Sequence, residues 1–377
     1  MSNLTVSASP HVTKAGNSTR GIMLDVIIAL MPALLAAVFF FGYHVLINAV
    51  VCAGAAVGTE LLFGCAQKKD FSRAALKKSS VKDLSAVVTG LILALNLPSR
   101  LIVGGWDFNF YAAGAARTVE NIIFSFDTVL ICIIGGVFAI ALVKMLFGGI
   151  GKNFANPAAA ARIFIMLSFG LKAVGTVGFL ADAATGATWL SSAAKSTSNQ
   201  SMFLNMFLGN RGAAAAGETS MIAVLIGYVY LSVKKIIDFR LPLAVVASAA
   251  AFAFLFDALG RGSGPRILNN VFANVMAGGL VFGAVFMATD YSTSPNTFWG
   301  KMIFGAGIGF FTVVIRVFTA MPEGMSFAIL LMNIAAPLID KYVVPKPFGY
   351  ARPQKPPPVT VTPPPATDAG AKREGKK

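Results

Sequence analysis

Residues 45–63 read VLINAVVCAGAAVGTELLF, an apolar run broken by a single charge at Glu60. A soluble helix of this length carries a polar face that returns at every turn, and this run has none. About 20 such residues are what a helix needs to cross the hydrocarbon of a bilayer. Similar runs recur along the chain, which is 12% charged where soluble domains have about 25%. The fold class expected is an all-α integral membrane protein. Residues 1–20 are polar and the first apolar run extends from 22 to 42, too long for the core of a cleaved signal peptide.

Ten spans are expected, at about 22–42, 45–66, 84–103, 127–147, 155–174, 219–237, 241–260, 270–289, 299–319 and 325–343. An even number puts both termini on one side. With the N-terminus inside, most of the 31 lysines and arginines fall on inner segments, above all the 68–82 loop and the tail from Lys341 onward. Outer segments keep few, among them Arg100, Arg117 and Arg316. That is the positive-inside bias of the bacterial cytoplasmic membrane, with N- and C-termini cytoplasmic. The net charge of +15 is therefore topological, and nucleic acid is not needed to explain it. The organisation expected is a cytoplasmic N-terminus (1–21), a first membrane repeat (22–174), an outer loop (175–218), a second repeat (219–343) and a Pro-rich basic tail (344–377).

Cys52, Cys65 and Cys132 all stand in apolar segments without a CxxC pair, and there are only two histidines, His11 and His44. An iron–sulfur cluster, a bis-histidine haem or a zinc triad of this chain's own is not expected. No metal ligand is assigned.

The two halves echo each other. AVVTGLILALNLPS (86–99) resembles VMAGGLVFGAVFMATDYSTSP (275–295), and GKNFANPAAAARIFIML (151–167) resembles PEGMSFAILLMNIAAPLID (322–340) in its mix of Gly, Asn and Pro. Five spans in each half would run in opposite directions, an inverted five-plus-five repeat with broken helices and a binding site near the midplane. Arg162, inside the fifth span, is expected to be paired or to face a cavity. Asp25, Glu60, Asp257, Asp290 and Asp340 stand in or beside spans, mostly near the ends. GGIGKNFANP lacks the GxxxxGK[ST] spacing of a phosphate loop and follows no soluble strand, so ATP binding is rejected. Asn153, Asn156 and Pro157 suit an irregular start to the fifth span, either capping a half-helix or hydrogen-bonding an uncharged ring. In GETS (217–220), Thr219 or Ser220 is the capping candidate for the sixth span.

The outer loop contains DAATGAT (182–188), which matches the flavinylation pattern Asp-x-x-Ser/Thr-Gly-Ala-Thr at every fixed position. A chance match in a chain of this length is roughly one in a thousand. Thr188 offers the hydroxyl for a phosphoester, and Gly186 and Ala187 leave a slim approach to it. Asp182 and Thr185 complete what a flavin transferase would read. Trp189 is either a ring-stacking residue or an ordinary interfacial aromatic.

On DAATGAT, FGGIGKNFANPAAAAR (147–162), GETSMIAVLIG (217–227) and FAILLMNIAAPLID (327–340), the chain resembles the D-type membrane proteins of Rnf electron-transport complexes, homologous to the B-type protein of the sodium-pumping NADH:quinone reductase. The resemblance covers about 20 to 350. It implies covalent FMN on Thr188, a noncovalent riboflavin in the membrane domain, and the inverted-repeat fold; Asn153, Asn156 and Arg162 are the candidates for the riboflavin environment. It also implies a multi-pass subunit, inactive alone, of a redox-driven Na⁺ or H⁺ translocase. Its partners would be the other Rnf subunits (the A, B, C, E and G types), a flavin transferase and lipid, with ferredoxin and NAD reached only indirectly. The short N-terminal segment favours the Rnf family over the quinone-reductase B type. A solute channel or transporter of the same fold is the alternative of a different class. The Pro-rich tail departs from both groups.

Overall fold

A computed structural model of the chain describes residues 18–68, 80–97, 126–169, 207–208, 215–260, 264–319 and 324–344. Apart from turns, these residues are helical. The first half holds α1 (Thr19–Phe41), α2 (His44–Lys68), a 3₁₀ turn (Ser80–Asp83), α3 (Ser85–Asn96), α4 (Phe126–Val137, continuing as a π-helix over Phe138–Met145) and α5 (Pro157–Phe169). The second holds α6 (Met221–Val233), α7 (Arg240–Leu259), α8 (Gly264–Met276), α9 (Leu280–Met287, mostly π-helical), α10 (Phe298–Phe318) and α11 (Gly324–Tyr342). These helices belong to one unit ending at Val343.

Every expected span contains a helix, but the ten-span count is not confirmed. Among the described residues, six helices are long and apolar enough to cross a membrane, or seven if the bent pair α8–α9 is one span. The 12 residues of α3 and 13 of α6 reach only about 18–20 Å, short of a hydrocarbon layer of about 30 Å, and α5 is described over 13 residues. The ends expected at 98–103 and 170–174 lie outside the described residues. The sixth span stops early because the chain turns at Lys234–Asp238, where Lys235 has φ +56° and Ile236 N donates to Leu231 O at 3.0 Å. α3 and α5 are buried nearly all round and are flanked by the longer helices, which present leucine and phenylalanine outward. Short helices with irregular ends are tolerated at membrane depth only when protein covers them.

The starts follow capping chemistry. Ser18 accepts from Gly21 N at 3.1 Å, Ser220 from Ala223 N at 3.4 Å and Thr297 from Gly300 N at 3.0 Å. Ser220 thereby settles the cap of the sixth element. Small residues set the packing. A Cβ on Gly90 of α3 would lie 2.6 Å from Ala53 Cα of α2, and one on Gly136 of α4 would lie 3.0 Å from Ala55 Cβ. In the second half, Gly305 and Gly309 of α10 do the same against α7, with a Cβ on Gly309 only 2.6 Å from Val245 O. In both halves, then, the second helix (α2 and α7) is approached closely by later helices of its half.

Candidate functional site

Two features adjoin each other inside the bundle. The first is a buried polar cluster built on breaks in the helices. α8 ends at Met276, the chain passes through Gly278 and Gly279 at φ +69° and +66°, and α9 leaves at 49°. Those left-handed turns need glycine. A break inside lipid frees carbonyls that must find donors. Arg316, from the last turn of α10, supplies them: it donates to Asn274 O, to Ala277 O at 3.0 Å and to Gly278 O at 2.9 Å. Counted from the sequence as an outer-segment charge, Arg316 is in fact buried.

At the end of α3 the arrangement is comparable. Asn96 donates its Nδ2 to Ile92 O at 2.8 Å and its Oδ1 accepts from Arg162 Nη1 at 2.8 Å. Arg162 Nη2 also lies 3.8 Å from Glu218 Oε1. Glu218 sits in the 3₁₀ turn Ala216–Glu218, and its carboxylate fills the notch left by Gly279, where a Cβ would meet it at 2.5 Å. Arg162 is thus paired, as an arginine within a span has to be. Asn156 caps α5 by accepting from Ala158 N at 3.0 Å and Ala159 N at 3.2 Å, and its Nδ2 donates to Met287 O at 3.0 Å. The amide of Asn333 on α11 lies 2.9 Å from Asn156 N and 3.3 Å from Thr293 O and satisfies both when its oxygen faces Asn156. One asparagine therefore ties α5 to α9 and another ties α11 to the turn beyond it.

The second feature is a cavity of about 560 Å³ beside this cluster, within the about 300–1,000 Å³ range of small-molecule and cofactor sites. Its apolar walls include Ile22, Met23, Val88, Ile92, Val285 and Phe286; its polar ones include Ser85, Thr89, Lys144, Asn153, Asn156, Asp290 and Asn296. Asn153 Oδ1 is buried with no hydrogen-bond partner among the described residues. Gly148, Gly149 and Gly151, all at positive φ, carry the chain from α4 round to this asparagine. Asp290 lies in the turn between α9 and α10. Burial pushes its carboxyl above the usual carboxylate range, against hydrogen bonds from Ser292 and Thr293 that act the other way.

Of the residues singled out from the sequence, Asn153 and Asn156 come together in the cavity wall. Arg162 does not line it and instead joins Asn96 and Glu218. Asp182, Thr185, Gly186, Ala187 and Thr188 lie outside the described residues. Sequence reasoning missed Lys144, which stands near the end of the expected 127–147 span. It is 2% exposed, with Nζ 2.9 Å from Glu60 Oε2 and 2.7 Å from Ser85 Oγ. Its signal was a lone lysine directly after IALV, inside the expected end of the span. The three cysteines are buried in helices, as their apolar settings suggest.

The chain matches a family model described as NQR2, RnfD, RnfE family over residues 5–106 and 125–349. It is 38% identical to the D component of the Na(+)-translocating ferredoxin:NAD(+) oxidoreductase complex of Acetobacterium woodii, over 94% of this chain and 98% of that one. It is 35% identical to the D component of the proton-translocating ferredoxin:NAD(+) oxidoreductase complex of Clostridium ljungdahlii, over 92% of this chain and 97% of that one. Likeness to the B component of the Na(+)-translocating NADH-quinone reductase of Chromohalobacter salexigens reaches 40% identity but covers 56% of this chain and 53% of that one.

Proposed function

Since this chain belongs to the NQR2, RnfD, RnfE family, we propose that it is the D-type membrane subunit of an ion-translocating ferredoxin:NAD⁺ oxidoreductase, a redox-driven translocase in which it relays electrons through flavin. The D-type relatives align over nearly the whole chain, whereas the quinone-reductase B component aligns over about half. That difference favours the Rnf type. Na⁺ is in the name of one relative and proton in that of the other, so the ion is left open between them.

The observation that carries the flavin assignment is DAATGAT in the outer loop. Thr188 holds FMN by phosphoester, and Asp182, Thr185, Gly186 and Ala187 are what the flavin transferase reads. A covalent tether keeps a flavin on the outer face from being lost to solution. It also lets the flavin meet a neighbouring subunit of the complex without dissociating. A noncovalent riboflavin occupies the cavity. The fit rests on the partnerless Asn153 Oδ1 and on apolar walls around a few polar amides and hydroxyls, a lining that suits an uncharged ring. Bound there, riboflavin supplies electron transfer; the protein's part is to orient the ring and set its electrostatic surroundings. Asn153 and Asn156 offer amide contacts, Ile92 and Phe286 exclude water, and Thr89 and Asn296 complete the polar lining. The outer FMN, the buried cluster and this cavity would form an inward path for electrons in a subunit whose termini are cytoplasmic.

The test is direct. Protein matured with its transferase should fluoresce under ultraviolet light on a denaturing gel, and its loop peptide should carry an FMN phosphoester mass on Thr188. Thr188→Val should abolish both. A dark, unmodified wild type would remove the assignment. A solute-conducting role, which a partly polar cavity also suits, predicts flux into liposomes holding this chain without flavin.

A further inference from the structure

We propose that Lys144 is the residue that sets the electron affinity of the cavity flavin, with Glu60 as the counter-charge that limits its effect. The proposal rests on the reading that riboflavin occupies the cavity. Lys144 lies at the end of the π-helix that continues α4, where Leu146 N donates to Ala141 O, five residues back, at 3.0 Å. Such widened turns recur at functional sites because they turn a side chain off the regular helical face. Here the lysine is turned inward. Lys144 is buried, and it forms part of the cavity wall.

The pair is oriented. Lys144 and Ser85 both line the cavity, whereas Glu60 stands behind them on α2 and does not. The positive end of the ion pair therefore faces the ligand. Of the three N–H donors of an ammonium, two go to Glu60 and Ser85, which fixes the third relative to the cavity. One electron passed from the upstream flavin to a neutral ring held here would place one negative charge beside this cation, with no bond made or broken. In a poorly screened interior that charge is stabilised by a fixed cation far more than it would be in water. The Glu60 carboxylate, 2.9 Å from the Lys144 ammonium, supplies the complement that a buried charge needs.

The whole complex, purified from membranes, provides the test, with riboflavin content read by extraction and the midpoint potential of the noncovalent flavin read by spectroelectrochemistry. Lys144→Met should make that flavin harder to reduce, changing the one-electron equilibrium constant by about tenfold or more, about 59 mV. Lys144→Arg should return most of the shift. Glu60→Gln, which keeps the shape and removes the counter-charge, should move the potential the opposite way and serves if Lys144→Met fails to assemble. A potential unchanged in both Lys144→Met and Glu60→Gln, or moved in the same direction by both, would overturn the proposal. Thr89→Trp separates this from the site assignment: blocking the cavity should deplete riboflavin, and undiminished riboflavin there would reject the cavity as its site whatever the lysine variants do.

Discussion

At the scale of single residues, the buried charges are held in place by backbone geometry as much as by each other. Arg162 reaches both Asn96 and Glu218, and Glu218 needs the notch at Gly279. Removing one partner from such a cluster leaves a buried charge without its complement, at about 3–5 kcal/mol. Arg162→Met and Glu218→Gln should each lower the thermal midpoint in detergent. The double variant should lose clearly less than the two losses together, a coupling of about 0.5–3 kcal/mol. Strict additivity would mean the two groups do not sense each other. The need for a partner was legible at Arg162, since a lone arginine in an apolar run has few other options. Which partner it takes was not, because Asn96 and Glu218 are brought to it by chain reversals that no local pattern encodes.

At the scale of helices, the contrast is between long lipid-facing elements and short covered ones. Periodicity and length marked where each helix lies, and the caps at Ser220 and Asn156 follow from residue type. The short helices α3 and α6 were read as parts of full spans because apolar content does not distinguish a segment surrounded by protein from one surrounded by lipid. What distinguishes α3 and α5 is the small-residue contacts around them, and those are three-dimensional facts. The same contacts make a prediction for α7 and α10. Gly309 faces Ser248, Val245 and Ala249 at distances that leave no room for a branched side chain. Gly309→Leu should force α10 away from α7 and sharply reduce the yield of monodisperse protein in detergent. Gly149→Ala has open space around its Cβ and should be milder, limited to the strain of its positive φ, about 1–2 kcal/mol. Equal losses at the two positions would refute the close-packing account.

At the scale of the whole molecule, the cavity walls test the alternation of the spans. The starts of α1, α3 and α5, the ends of α4, α6 and α9 and the turn leading into α10 all contribute to it. An up-and-down path with the expected parity puts those ends on one face, the one with the basic segments. The sidedness itself is open to labelling in intact cells. A cysteine placed at Ser191 should react with a membrane-impermeant thiol reagent, and one placed at Ser18 should react only after permeabilisation. The reverse pattern would invert the orientation and put DAATGAT on the side opposite to the one the proposed flavin attachment requires.

The provenance of those walls has a temporal consequence. Some of them are synthesised before residue 100 and others only after residue 280, so a nascent chain has no compartment for a ring molecule until its second half has entered the bilayer and closed against the first. If riboflavin fills that cavity as proposed, its uptake must follow insertion, and a cell starved of it would accumulate a completed but hollow subunit.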